Sequence, residues 1–144
     1  METVKSHLKF IKYKKPEELH EETKACVLEM KFKNDELKFL KTLVKAYALE
    51  SVLNKCHKEN AKKYVSILGL EENFNVLILN LQTHQNNLQV LLDDIETPNE
   101  LSVYKEEHYK LMFKAVATNT LFKSLKKLIY KNVKQILKEN KKIA

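Results

Sequence analysis

The chain has almost none of the residues that make turns: its 144 residues include one glycine and two prolines. Average usage would place roughly ten glycines and seven prolines in a chain of this length. Few turns are therefore expected. P-loop and dinucleotide fingerprints need several glycines to let the backbone approach phosphates, and Gly69 stands alone. Arginine is missing altogether, all 26 basic residues being lysine. Bidentate reading of guanine and planar clamping of phosphate are mainly arginine chemistry, so sequence-specific DNA recognition is disfavoured. With the many asparagines, the same absence matches the codon usage of an AT-rich genome. Long apolar runs are also lacking. The longest, Val76 to Leu79, falls far short of the roughly 20 residues that cross a bilayer, so no transmembrane segment is expected. Met1 to Lys15 alternates lysines with single apolar residues and offers no apolar core of an export signal. Cys26 and Cys56 are isolated from each other; on one long helix they would lie roughly 45 Å apart, far beyond disulfide reach. Two such thiols fit a reducing compartment, and a cytoplasmic location is expected.

What the chain does have is enough apolar material, 44% of its residues, to build one core. Its net charge of +7 is uneven: residues 1–15 carry +4 and residues 120–144 carry +7, so the span between sums to −4. Residues 1–15 read as a basic leader, extended or partly disordered, in which Leu8, Phe10 and Tyr13 are available for docking. Residues 16–144 read as a single helical-bundle domain.

Pro16 followed by Glu17, Glu18, Glu21 and Glu22 is a helix start, because proline suits the first turn and carboxylates favour the positive end of the helix dipole. The first helix is expected from about Glu17 to about His57, with the stripe Leu19, Cys26, Met30, Leu37, Leu40, Val44, Tyr47 and Ala48 facing the core. Asn34-Asp35 interrupts that stripe and can cap a new helix at Glu36, so both one helix and two are compatible with the pattern. A second helix is expected from near Asn60. Its seam, Ile67, Leu70, Phe74, Leu77, Leu81, His84, Leu88, Leu91 and Ile95, alternates steps of three and four and runs straight through Gly69. Pro98 is expected to force the chain out of helix, with Thr97 or Asn99 capping the last one. That helix carries Leu101, Tyr104, His108, Leu111, Ala115, Thr118, Phe122, Leu125, Ile129 and Ile136 and extends to about Asn140. Connections this short make neighbouring helices antiparallel. The fold class is thus all-α: an antiparallel bundle of three long helices, or four if the first is broken near Asn34-Asp35.

The apolar seams carry two histidines, His84 and His108. Antiparallel pairing sets His84 level with about residue 112, roughly one turn, about 5 Å, from His108. As a pair they are candidate ligands for a metal or a haem inside the bundle, with Tyr104 nearby on the same seam; as core residues they need only hydrogen-bond partners. A di-iron bundle calls for Glu-x-x-His on two helices, and only Glu17 and His20 have that spacing, at a helix start where acidic residues have an ordinary dipole role. Glu22, Glu29 and Glu36 recur every seven residues beside the stripe, as flanking charges that pair with lysines of a neighbouring helix do. No catalytic constellation is legible, and no cofactor is called for. The tail is a basic amphipathic helix in which Lys123, Lys126, Lys127, Lys131, Lys134 and Lys138 form a candidate basic patch for nucleic acid or an anionic membrane surface. Phe122, Leu125, Ile129, Val133 and Ile136 continue the core seam in phase, which makes the lysines a solvated face.

At Glu29, Asp35-Glu36-Leu37 and Phe39-Leu40, and at His84 with Asn86-Asn87-Leu88, the chain resembles small helical proteins of marine Bacteroidota bacteria. The resemblance implies a helical, bacterial, cytoplasmic protein and brings no activity with it.

These features together point to a non-enzymatic helical bundle that acts by protein–protein interaction or self-association. Residues just off the seams (Leu43, Leu49, Leu53, Ile78, Leu79, Leu92, Met112 and Phe113) widen the apolar faces, which calls for a fourth helix, from a split first helix or from a partner subunit such as the second copy of a homodimer. A metal- or haem-binding bundle built on His84 and His108, and an electrostatic binder using the terminal lysines, are the alternatives.

Overall fold

The structure, a computed structural model, describes residues 14–51, 57–93 and 98–143. It is an all-α bundle of three long helices: α1 (Pro16–Ser51), α2 (His57–Asp93) and α3 (Pro98–Ile143), with no strand among the described residues. No described helix is long and apolar enough to cross a membrane. Of the expected leader, only Lys14 and Lys15 lie among the described residues, so the docking of Leu8, Phe10 and Tyr13 falls outside them.

Pro16 is the first residue of α1, with Glu17 and Glu18 in its first turn, and the Leu19 amide donates to the Lys15 carbonyl at 3.1 Å. Proline has no amide hydrogen to lose there and its φ is already helical, so it opens a helix at no cost. The same rule bears on Pro98. It is itself the first residue of α3, which removes Asn99 as the cap, while the other expected cap, Thr97, lies outside the described residues. Two further boundaries differ. α1 ends at Ser51 rather than near His57, and α2 begins at His57 rather than near Asn60. Cys56, expected on one helix with Cys26, lies outside the described residues.

α1 runs unbroken through Asn34-Asp35. Asn34 turns into the core at 6% exposure while Asp35 faces out towards Lys38, 3.9 Å away. Helix continuity costs little here, because Met30, Leu37 and Leu40 bury on both sides of the pair and packing outweighs the modest helix propensity of two residues. The bundle thus has three helices, with no fourth from a split α1.

The chain divides into two compact units that share the three helices. Unit 1 comprises Met1–Lys31 and Asn75–Ala117; unit 2 comprises Phe32–Phe74 and Thr118–Ala144. In unit 1, Leu19, Leu88 and Leu91 form a buried cluster against which Leu101, Tyr104 and Tyr109 pack. In unit 2, Leu37, Leu40, Val44, Ile67, Leu70, Phe74, Phe122, Ile129 and Ile136 are buried. Phe74 meets Phe122 edge-on, with ring centroids 5.8 Å apart and planes at 79°. Around that core, Lys41 pairs with Glu71 at 2.8 Å and Lys126 pairs with Glu36.

Candidate functional site

The buried seams of unit 1 contain a polar cluster drawn from all three helices. Thr23 (0% exposed) comes from α1, His84 (2%) from α2 and His108 (0%) from α3. Thr23 falls on the α1 stripe four residues after Leu19 and three before Cys26, so the helical period that buries those two also buries the threonine. His84 and His108 take the seam positions between Leu81 and Leu88 and between Tyr104 and Leu111. The two rings meet, with centroids 5.3 Å apart and His84 Nε2 3.1 Å from His108 Nδ1. The other nitrogen of His108, Nε2, lies 2.9 Å from Glu22 Oε2. Glu22 also pairs with Lys14, and its side chain at 37% exposure is the end of the cluster that reaches solvent.

These contacts fix where the protons sit. Glu22 is held below the usual carboxylate value: burial pushes it up, but its bonds to Lys14 and His108 outweigh that. An ionised Glu22 only accepts, so His108 carries its proton on Nε2 and donates it to the carboxylate. His108 Nδ1 is then a bare lone pair, and His84 Nε2–H donates to it. Thr23 uses its hydroxyl hydrogen on the Leu19 carbonyl at 2.7 Å, which leaves its oxygen 3.2 Å from His108 Nδ1. Every hydrogen bond in the chain His84→His108→Glu22 points the same way. It ends inside the protein at His84 Nδ1, which is buried and finds no hydrogen-bond partner among the described residues.

Burial also keeps both rings neutral. His84 is pushed down from 6.5 to about 4, first by loss of water and then by the neighbouring His108. His108 is lowered as well, by burial, although Glu22 pulls it back up. An imidazolium in this core would lose its hydration, and only His108 has a counter-charge beside it.

The arrangement suits hydrogen bonding better than ligation. The two facing nitrogens are bonded to each other, and among the described residues no group of three or more histidine, cysteine, aspartate or glutamate side chains gathers as a metal site. Tyr104, the expected companion of the pair, packs instead with Leu19, Leu88 and Leu91. The structure brings together the two histidines that the sequence singled out. It adds Glu22 and Thr23, which the sequence reading did not connect to them.

The candidate basic patch lies in unit 2. Lys123, Lys127, Lys131, Lys134 and Lys138 are exposed, whereas Lys126 is half-buried against Glu36 and is raised above the usual lysine value by that carboxylate. Phe122, Ile129 and Ile136 on the other side of the same helix are buried in the unit 2 core. The expected pairing of an α1 glutamate with a lysine of a neighbouring helix is seen at Glu36; Glu22 pairs with Lys14, just ahead of α1, and with His108.

A second feature of unit 1 is on its surface. From Asn73 to Leu92 the sequence contains no aspartate, glutamate, lysine or arginine, in a chain where 31% of residues are charged. The outward face of α2 in this stretch exposes Val76 (49%), Leu79 (63%) and Val90 (58%), with Asn80, Thr83, Asn86 and Asn87 among them. These lie opposite the seam of Leu77, Leu81, His84 and Leu88, so the outward side of α2 here is uncharged and mixes apolar side chains with amides. Beside Asn80 is a groove of about 430 Å³ lined by Tyr109 and Phe113 and edged by Glu107, Lys110 and Lys114. Comparison with known proteins gives no matching family model, no matching curated protein and no matching solved structure.

Proposed function

We propose that the protein is a non-enzymatic helical bundle that works by self-association, with the outward face of α2 in unit 1 docking on the same face of a second copy. The observation that carries this reading is the uncharged stretch Asn73–Leu92 with Val76, Leu79 and Val90 exposed on it. Interface centres are depleted in charge, and exposed apolar side chains interspersed with uncharged amides suit such a surface. A two-fold contact sets a face against itself, so any charge near the axis meets its own copy. A chain of net charge +7 repels its own copy least where lysine is sparse; α2 supplies none between Asn73 and Leu92, although Glu107, Lys110 and Lys114 of α3 edge the groove beside Asn80. A partner subunit would also supply the fourth helix that the widened apolar faces call for, since α1 is continuous and gives no such helix.

The energetics favour a weak, reversible dimer. Full burial of a valine or leucine side chain stabilises by about 1.5–3 kcal/mol, and these three are already about half covered. Six such side chains, three per copy, then contribute roughly 6 kcal/mol before the cost of association is subtracted. Taken alone, that gross figure corresponds to a Kd of roughly 40 μM, and the cost of association makes the dimer weaker than that.

Light scattering on the full chain from micromolar to millimolar concentration tests the reading. The mass should climb from 17.0 kDa towards twice that value. Leu79→Lys removes two buried leucines and sets two cations near the axis, and it should weaken the dimer by about 30-fold or more with unchanged helix content. A mass that stays monomeric to millimolar concentration, or a dimer indifferent to Leu79→Lys, would refute self-association through this face.

A further inference from the structure

We propose that the Thr23, His84, His108 and Glu22 cluster is a proton-operated latch: one added proton reverses the hydrogen bond between the two rings, strands a donor in the core, and opens unit 1.

In the neutral cluster His84 Nε2–H donates to His108 Nδ1, and His108 Nε2–H donates to Glu22. The ionisable groups that face the rings are Glu22 and Lys14 from the first segment, His84 from α2 and His108 from α3. Glu22 is the one negative charge among them, so a proton that enters the pair is held on His108, beside the carboxylate. His108 then bears hydrogens on both nitrogens. Its new Nδ1–H points at His84 Nε2, 3.1 Å away, and at Thr23 Oγ1, 3.2 Å away. Two N–H groups cannot face each other at that distance, so His84 must present a lone pair at Nε2 and carry its own hydrogen on Nδ1 instead. The balance is simple: the hydrogen between the rings passes from His84 to His108, and the proton taken from solution ends on His84 Nδ1.

That nitrogen is the buried one with no partner among the described residues. As a bare lone pair it is tolerated; as an N–H donor without an acceptor it is expensive to keep buried. Thr23 is already placed to accept from His108, so the reversed state is satisfied at every position except this one. Exposing His84 Nδ1 to water relieves the defect, and that requires α2 to part from α1 and α3 in unit 1. Unit 2 has no histidine among its described buried residues and has no such trigger.

Hydrogen exchange on the full-length protein, corrected for the intrinsic pH dependence of exchange, reads the latch directly. Amides of Glu22–Lys31 and Asn75–Asp93 should lose protection as pH falls below the usual histidine value of 6.5, at higher pH than amides of Leu37–Val44 and Ile67–Phe74. Glu22→Gln, at a partly exposed position, takes away the charge that holds the proton and should move the opening down by about one pH unit. Nitrogen-15 spectra of the unmodified protein at pH 7 should show both histidines protonated at Nε2, with His84 moving to the Nδ1–H form on acidification. Loss of protection in both units together, an opening pH unchanged in Glu22→Gln, or a His84 already protonated at Nδ1 at pH 7 would each overturn the proposal.

Discussion

Lowering the pH should destabilise unit 1 well above the range in which carboxylates titrate. An unfolded histidine takes up a proton near 6.5, whereas His84 in the fold resists until about 4. Between those values the unfolded chain binds more protons than the folded one, so stability falls as pH falls through this window. At 1.36 kcal/mol per unit, the His84 shift corresponds to roughly 3 kcal/mol lost between pH 6.5 and pH 4. His108, also lowered, adds to the loss in the same direction. Glu22, held below its usual 4.5, continues the loss at more acid pH. A loss of 3 kcal/mol is a large part of the 5–15 kcal/mol that typically holds a domain together. Urea unfolding followed by circular dichroism at pH 7, 5.5 and 4 (nominal points spanning roughly the window) should show the midpoint dropping. His84→Gln keeps an amide donor where Nε2 stood and removes the titration, so its stability should vary much less between pH 6.5 and 4. A wild-type profile that is flat across this window, or one that His84→Gln leaves unchanged, would refute the burial argument.

Two further predictions concern helix and core. Gly69 is exposed in the interior of α2, and a Cβ there would meet nothing within 4 Å, so Gly69→Ala should raise stability by about 0.5–1 kcal/mol in the same unfolding assay, chiefly by restricting the unfolded chain. The edge-on pair Phe74 and Phe122 should show a coupling of about 0.5–1.5 kcal/mol in a double-mutant cycle of Phe74→Leu and Phe122→Leu; strict additivity would mean that the two rings contribute only by filling volume.

Most of the fold was legible because each seam keeps a helical period. Every residue expected on the α2 seam from Ile67 to Leu91 is buried, as are His108, Leu111, Ala115, Phe122, Ile129 and Ile136 on α3. Antiparallel pairing across the short connection was enough to bring His84 and His108 together. Boundaries were harder to see. Proline opens a helix as readily as it ends one, and the sequence at Thr97-Pro98-Asn99 carries both signals. Thr23 was within reach, since it occupies the same stripe as Leu19, Cys26 and Met30; a hydroxyl on an apolar seam is the mark of a buried polar partner. Glu22 was not. It sits at the edge of the stripe with a partly exposed side chain, and only the placement of α3 beside α1 shows that it reaches His108 rather than a lysine alone.

Exposed apolar side chains do not by themselves single out a contact surface, because every helix of this protein has them and folded proteins in general expose much apolar area. On α1, Leu28, Phe32 and Phe39 are exposed, yet Lys24, Glu29, Lys31, Asp35 and Lys38 are exposed among them. On α3, Phe113, Leu121 and Leu128 share the surface with Glu107, Lys110, Lys114, Lys123 and Lys127. Covering either face means stripping water from several charges, and against a second copy each of those charges risks meeting its like. Between Asn73 and Leu92 the side chains of α2 itself that the same operation strips of water are valine, leucine, threonine and uncharged amides, of which the amides and the threonine hydroxyl can bond across the contact; Glu107, Lys110 and Lys114 of α3 come in only at the groove beside Asn80. The apolar residues on the three outer faces are of similar kind, so it is the sparser charge that favours α2 as the proposed contact face.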